Sequence, residues 1–151
     1  FFGVMITQNG IYLLEYNMRL GDPETQAVLP LLESDLLTLF EASIEKSLEK
    51  VELSWHTGAT CCVVLASGGY PEEYVNNLPI HGVKEFNQTD CQLFTAGIAL
   101  QEQQFVTAGG RVLNIVAKGN TPLEARNKAY AAIQEIQFKD CYCRNDIGNI
   151  N

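Results

Sequence analysis

An Asn-Gly pair at positions 9 and 10 lies between two apolar, β-forming runs, FFGVMIT (1–7) and IYLLEYN (11–17). Both residues of such a pair tolerate positive φ, so the runs are expected to fold back on each other as an antiparallel hairpin. Side chains alternate along a strand, so Leu13, Glu15 and Asn17 are expected on one face, with Tyr12, Leu14 and Tyr16 on the other. Glu15 and Asn17 then stand roughly 6.6 Å apart along the strand. A carboxylate and a carboxamide oxygen at that spacing can converge on one hard cation. Mg²⁺ takes such oxygen ligands and keeps waters and phosphates in its shell. Arg19 follows where the strand ends, and Gly21-Asp22-Pro23 makes a turn. Residues 23–32 are expected to form a short helix, with Asp22 as its cap and Pro23 at its first position. Free N–H groups at such a start suit an anion. Residues 13–26 thus read as a metal-and-phosphate corner. The competing reading is a plain exposed strand face, with Arg19 paired to Asp22 or Glu24 in a surface contact of small energetic weight.

Residues 34–50 have the spacing of an amphipathic helix, with Leu37, Phe40, Ile44 and Leu48 as its packing face and Glu41, Glu45, Lys46 and Glu49 largely elsewhere. The texture changes over residues 51–58, so a domain boundary is placed there, separating residues 1–52 from 53–151. Strands are expected at 59–67, 92–100 and 111–118, with turn punctuation at Gly68-Gly69-Tyr70-Pro71 and Asn76-Asn77-Leu78-Pro79. A last helix opens at Thr121-Pro122-Leu123-Glu124, a capping box with proline at the first helical position. Its apolar face, Ala125, Ala129, Ala132, Ile133 and Ile136, is small enough to pack closely on a sheet. The tail, residues 144–148, is polar.

A chain of 151 residues can bury a core as one domain or two small ones. Its net charge of −8 argues against a nucleic-acid or anionic-membrane surface. No apolar run approaches the ~20 residues of a membrane helix. The chain opens on Phe-Phe rather than Met and is expected to be an excised piece of a longer protein. Five cysteines, two of them the adjacent Cys61 and Cys62, do not form a secreted disulfide pattern. Cys141 and Cys143 are spaced too tightly for a zinc knuckle. Reduced, mostly buried thiols in a cytoplasmic protein are the expectation. His56 and His81 fall in no motif and receive no role.

Six segments, in order, resemble the phosphoribosylamine–glycine ligases, ATP-grasp enzymes of purine biosynthesis. Glu15-Tyr16-Asn17-Met18-Arg19-Leu20-Gly21-Asp22-Pro23-Glu24-Thr25-Gln26 is similar to the family's EFNxRFGDPExQ. Leu29-Pro30-Leu31-Leu32-Glu33-Ser34-Asp35-Leu36 is similar to LPLLxSDL, and Ala66-Ser67-Gly68-Gly69-Tyr70-Pro71 to ASKGYP. Thr95-Ala96-Gly97 resembles HAGT, residues 109–113 match GGRVL, and Arg144-Asn145-Asp146-Ile147-Gly148 matches RxDIG. The departures are Leu20 for Phe, Gly68 for Lys and Cys143 for Tyr. None falls on Glu15, Asn17 or Arg19.

The resemblance implies an α+β architecture: the closing strands and helices of an ATP-grasp domain, then a small mixed β/α domain with a mainly antiparallel sheet. It implies that ATP, glycine and 5-phosphoribosylamine give glycinamide ribonucleotide, ADP and phosphate through a glycyl phosphate. Glu15 and Asn17 would hold Mg²⁺ or Mn²⁺, and Arg19 would meet the transferred phosphoryl group. Asp22 would hold the glycine ammonium, as well as capping its helix. Gly109, Gly110 and Arg111 would take the phosphate of phosphoribosylamine, although the glycine pair equally suits a strand-entry turn. Arg144 and Asp146 would close over the same substrate. Phe1 to Thr7 offers no carboxylate, so a further metal ligand and the ATP clamp would lie upstream, and the piece alone would be inactive. Two rivals remain. Another ATP-grasp ligase or carboxylase would share Glu-x-Asn-x-Arg but not GDPE followed by LPLLxSD. A non-catalytic binding domain of the same fold would bind neither metal nor nucleotide.

Overall fold

A computed structural model describes residues 2–149. The hairpin forms as expected: β1 (Phe2–Thr7) pairs antiparallel with β2 (Gly10–Tyr16), and Gly10 takes φ +123° at the turn. Thr7 Oγ1 closes the turn, donating to the Gly10 carbonyl at 3.1 Å and accepting from the Asn9 N–H at 3.1 Å. The ladder slips once. Gly3 faces Glu15 while Val4 faces Leu13, which leaves Leu14 unopposed in a bulge. Alternation does not carry across a bulge, so the expected common face of Leu13 and Glu15 is broken there. β2 also ends at Tyr16, which places Asn17 just past the strand rather than on it. Every residue of the two strands except Gly3 is exposed, Ile6 by 76% and Ile11 by 72%.

Helix α1 (Glu24–Val28) is shorter than expected and passes into a 3-10 turn at Leu29–Leu31. Asp22 does not cap it. Pro23 occupies the cap position and the first turn is closed by Thr25 N–H on the Gly21 carbonyl at 3.1 Å. Helix α2 (Leu36–Ile44) is capped by Asp35, whose carboxylate accepts from the Thr38 N–H at 2.7 Å. It ends six positions before residue 50. Lys46 turns left-handed at φ +57°, and the Ser47 N–H reaches the Ala42 carbonyl at 2.8 Å, a Schellman stop built without glycine. The expected packing face is uncovered: Leu37 is 63% and Ile44 81% exposed, and Ala42 is the buried residue of the helix.

The remainder is compactly layered. Strands β3 (Ala59–Ala66), β4 (Cys91–Thr95), β5 (Ile98–Gln101), β6 (Gln104–Thr107) and β7 (Arg111–Gly119) form one antiparallel sheet in the order β3-β7-β4 and a β5-β6 hairpin. The single strand expected at 92–100 is two, because the chain turns at Ala96-Gly97. There a Cβ on Gly97 would stand 2.7 Å from the Gly109 Cα. The β5-β6 turn uses Glu102 and Gln103 at φ +46° and +67°, residue types that carry no hairpin signal. Helix α3 (Pro122–Ala132) covers β3 and β7 with Ala125, Ala129 and Ala132, all buried, followed by Ile133 and Ile136. Its backbone comes so close that a Cβ on Gly119 would stand 2.5 Å from the Ala125 nitrogen. Thr121 Oγ1 accepts from the Glu124 N–H at 3.1 Å, as a capping box requires. The Glu124 carboxylate, however, reaches back to the Asn120 N–H at 2.9 Å rather than to Thr121. No helix among the described residues is long and apolar enough to cross a membrane.

Two outcomes follow from this layer. Thr121→Ala should lower unfolding free energy by about 1 kcal/mol, read from urea midpoints. Glu124 is held below the usual glutamate range, first by the Lys128 ammonium and then by the Asn120 N–H. A depressed carboxylate stabilises above its unfolded pKa and loses that contribution as pH falls through its folded one. Denaturation midpoints of the natural chain and Glu124→Gln should therefore differ at neutral pH and converge in acid.

Candidate functional site

The Gly21-Asp22-Pro23 turn is tied directly to the start of β7. Arg111 donates from Nη1 to the Asp22 carbonyl at 2.8 Å, and its Nη2 lies 3.1 Å from Asp22 Oδ2. Asp22 Oδ1 accepts from Gln26 Nε2 at 2.7 Å. Asp22 is thus gripped from the sheet on one side and from α1 on the other. A second tie runs from Thr60 Oγ1 on β3 to the Ala27 carbonyl at 2.5 Å. The turn faces a cleft of about 550 Å³ whose other wall includes Gln92 and Thr95 on β4. Gln26 lines it too, and the Oε1 of that side chain is buried without a hydrogen-bond partner. Because its Nε2 must donate to a carboxylate, this amide presents Oε1 as an acceptor. Gln26 stood in the sequence pattern without a role; nothing short of the fold shows that Gln92 and Thr95 oppose it.

Upstream of the turn, Glu15 lies across Gly3 on the neighbouring strand, its Cγ 2.8 Å from where a Cβ there would be. Glu15 takes part in no ion pair or side-chain hydrogen bond among the described residues. Arg19 donates from Nη1 to the Leu20 carbonyl at 2.9 Å. A carboxylate with a carboxamide two residues on can supply two oxygen donors of the kind a hard cation takes. No three His, Cys, Asp or Glu side chains among the described residues converge into a metal cluster, so this pair would form part of a ligand set.

Gly109-Gly110 has a clear structural duty. A Cβ on Gly110 would meet the Tyr70 ring at 2.2 Å and the Tyr74 ring at 3.1 Å. The two glycine carbonyls accept from Ser67, Gly109 from Oγ at 2.9 Å and Gly110 from the N–H at 2.8 Å. The pair therefore enters β7 beneath two aromatic rings, as a strand-entry turn would. Arg144 and Asp146 engage each other through two contacts, at 2.8 and 2.6 Å, and both are largely exposed. Their loop is fastened through its backbone instead. Arg126 donates to the carbonyls of Ile147 and Asn145, and the Tyr130 hydroxyl donates to that of Arg144 at 2.6 Å. Ile147 and Gly148 then face Pro23 and Glu24 across a cavity of about 270 Å³. Asp22 and Arg111 are brought together, with Gly109 and Gly110 adjoining. Arg144 and Asp146 remain a pair of their own.

The thiols carry no site chemistry. All five cysteines are free; Cys61 and Cys62 are buried, while Cys141 is exposed, against the expectation of mostly buried thiols. The Cys62 thiol is pushed up to about 12, by burial first and then by Cys61, Asp22 and Glu24. A thiol held protonated in this way is a poor nucleophile.

With this geometry in place, comparison with known proteins is direct. The family described as "Phosphoribosylglycinamide synthetase, C domain" matches residues 60–150. A phosphoribosylamine–glycine ligase of Fusobacterium nucleatum is 45% identical over 99% of this chain and 36% of its own length. One from Clostridium acetobutylicum is 47% identical over 98% of this chain and 35% of its own length. The crystal structure of a phosphoribosylamine–glycine ligase from Thermotoga maritima superposes with a TM-score of 0.73 at 32% identity, over 97% of this chain and 36% of that one. The chain spans a little over a third of these relatives. With the family's C domain matching residues 60–150, more than half of the chain, and the mixed α/β arrangement shared with a solved relative, the chain belongs to the phosphoribosylglycinamide synthetase family.

Proposed function

We propose that the chain is the C-terminal part of an ATP-dependent ligase of purine biosynthesis. In that reaction glycine and 5-phosphoribosylamine give glycinamide ribonucleotide, with ATP converted to ADP and phosphate. The observation that carries this reading is a match to ligases so named that runs through the hairpin as well as the C domain, over 99% of the chain. Residues 1–52 are the closing section of an ATP-grasp domain, and residues 53–151 the C-terminal domain. The uncovered apolar faces of the hairpin and α2 support this division, since upstream parts of such an enzyme would cover them. A purine-pathway ligase with unpaired thiols belongs in the cytoplasm.

Each residue then has a task. Glu15 and Asn17 hold Mg²⁺ or Mn²⁺, which when bound neutralises phosphate charge. Arg19 lends fixed positive charge to the phosphoryl group transferred from ATP to the glycine carboxylate. The amine of phosphoribosylamine then attacks the acyl carbon of the resulting glycyl phosphate, forming the amide bond as the C–O bond to phosphate breaks and inorganic phosphate leaves. Asp22 meets the glycine ammonium from a position fixed by Arg111 and Gln26. Arg111 has five N–H donors, and two contacts to Asp22 leave others for the substrate phosphate beside Gly109 and Gly110. The Arg144–Asp146 pair, just before the tail residues Ile147 and Gly148 that face α1, closes over the same substrate. Phosphoryl transfer asks mainly for alignment and charge neutralisation, and these residue types supply both.

In the intact ligase, Glu15→Gln or Asn17→Ala should lower kcat by at least ~10²-fold with Tm unchanged, the scale for removing a key electrostatic group. Unchanged kinetics would take both out of the site. The 151 residues by themselves should yield no glycinamide ribonucleotide in a coupled ADP-release assay. Arg111→Ala and Asp22→Ala should be non-additive in a double-mutant cycle, with a coupling of roughly 0.5–1 kcal/mol in stability, since both side chains are about two-fifths exposed.

A further inference from the structure

We infer that Gly3 is a positioning residue, whose missing side chain makes the groove in which the Glu15 carboxylate lies. This rests on the reading of Glu15 as a metal ligand. Gly3 and Glu15 are direct cross-strand partners at the bulge. The Glu15 side chain runs across β1 at this point. A Cβ on Gly3 would stand 2.8 Å from Glu15 Cγ, 3.4 Å from Oε1 and 3.6 Å from Cδ, the nearest atoms among the described residues beyond its chain neighbours. The nearest of these is the middle of the side chain, not its free end. A methyl group would therefore turn Glu15 at its root and swing the carboxylate away.

Two observations separate this role from an ordinary backbone need for glycine. Gly3 is absent from the positive-φ positions, which are Gly10, Gly58, Gly69, Gly82 and Gly148, so its backbone accommodates any L residue. It is also the one residue of the hairpin strands that is not exposed, and what its Cα face meets is Glu15. Glycine inside a strand is less stable than alanine, for reasons of chain entropy. Its presence is thus unfavourable for the hairpin and favourable for the carboxylate. The bulge beside it works in the same direction, because bulges re-aim side chains.

The test uses the intact ligase with Mn²⁺ and ATP, glycine withheld, and metal binding followed by electron paramagnetic resonance. Gly3→Ala should weaken Mn²⁺ binding roughly 10-fold, the effect of losing a group that orients a ligand, while Tm stays level or rises. In a Glu15→Ala background the same Gly3→Ala change should leave metal binding unaltered and should keep Tm level or raise it. The inference is overturned if Gly3→Ala binds Mn²⁺ normally while Glu15→Gln does not. It is equally overturned if Gly3→Ala lowers Tm as much with Glu15 removed as with it present, because the methyl would then collide with something else. If Glu15→Gln itself binds Mn²⁺ normally, the ligand reading fails first, and the role of Gly3 with it.

Discussion

The structure depends on how closely α3 lies against β7. Val112, Leu113, Ile115, Val116 and Ala117 are almost wholly buried, and β7 is the middle strand of its sheet. A strand buried on both faces needs a helix that can approach without side chains to hold it off. Ala125 and Ala129 meet that need, and Gly119 lets the helix begin where the strand ends. Each large aliphatic side chain buried there contributes roughly 1.5–3 kcal/mol, against at most about 1 kcal/mol for a surface ion pair. Stability therefore sits in this layer, and the polar contacts around it set positions.

That division explains the Asp22–Arg111 contact. A half-exposed pair adds little to folding. Its value lies in where Arg111 stands, as the first residue of the buried central strand of the sheet. Two guanidinium contacts, one to a carbonyl and one to a carboxylate, fix the turn's backbone as well as its side chain. The turn thereby acquires a defined place relative to the sheet, although the hairpin that precedes it buries almost nothing.

Where local chemistry decides, the sequence was a reliable guide. Asn9-Gly10 called for a hairpin and made one, Thr121 capped α3, and the alanine stripe faced the sheet. The failures have two sources: contacts distant in sequence, and local turns made by residue types that do not signal them. Asp22 looked like a helix cap, but its carboxylate is drawn to Arg111, 89 positions away. Lys46 ends α2 in a conformation more usual for glycine, and Glu102-Gln103 turns a hairpin with neither glycine nor asparagine. The periodicity of α2 showed which side wants burial, and periodicity has no knowledge of whether a cover is present. Likewise the candidate residues were legible by type and spacing, while the bulge at Leu14, which determines how Glu15 is aimed, was not.

The same contrast bears on how such a site keeps its shape. The C-terminal layer has its geometry imposed by packing, and a substitution there is felt as lost stability. The hairpin has no such layer over it in this chain. Its Glu15 side chain is placed by local features: a bulge, a cross-strand register and a glycine that leaves room. Local placement of that kind tolerates change in the surrounding apolar residues but not in the few atoms that define the groove. Residues 2–17 and residues 109–119 therefore reach definition by opposite routes, one by emptiness beside a carboxylate and the other by close packing. The Arg111–Asp22 contact is where the two are brought into one frame.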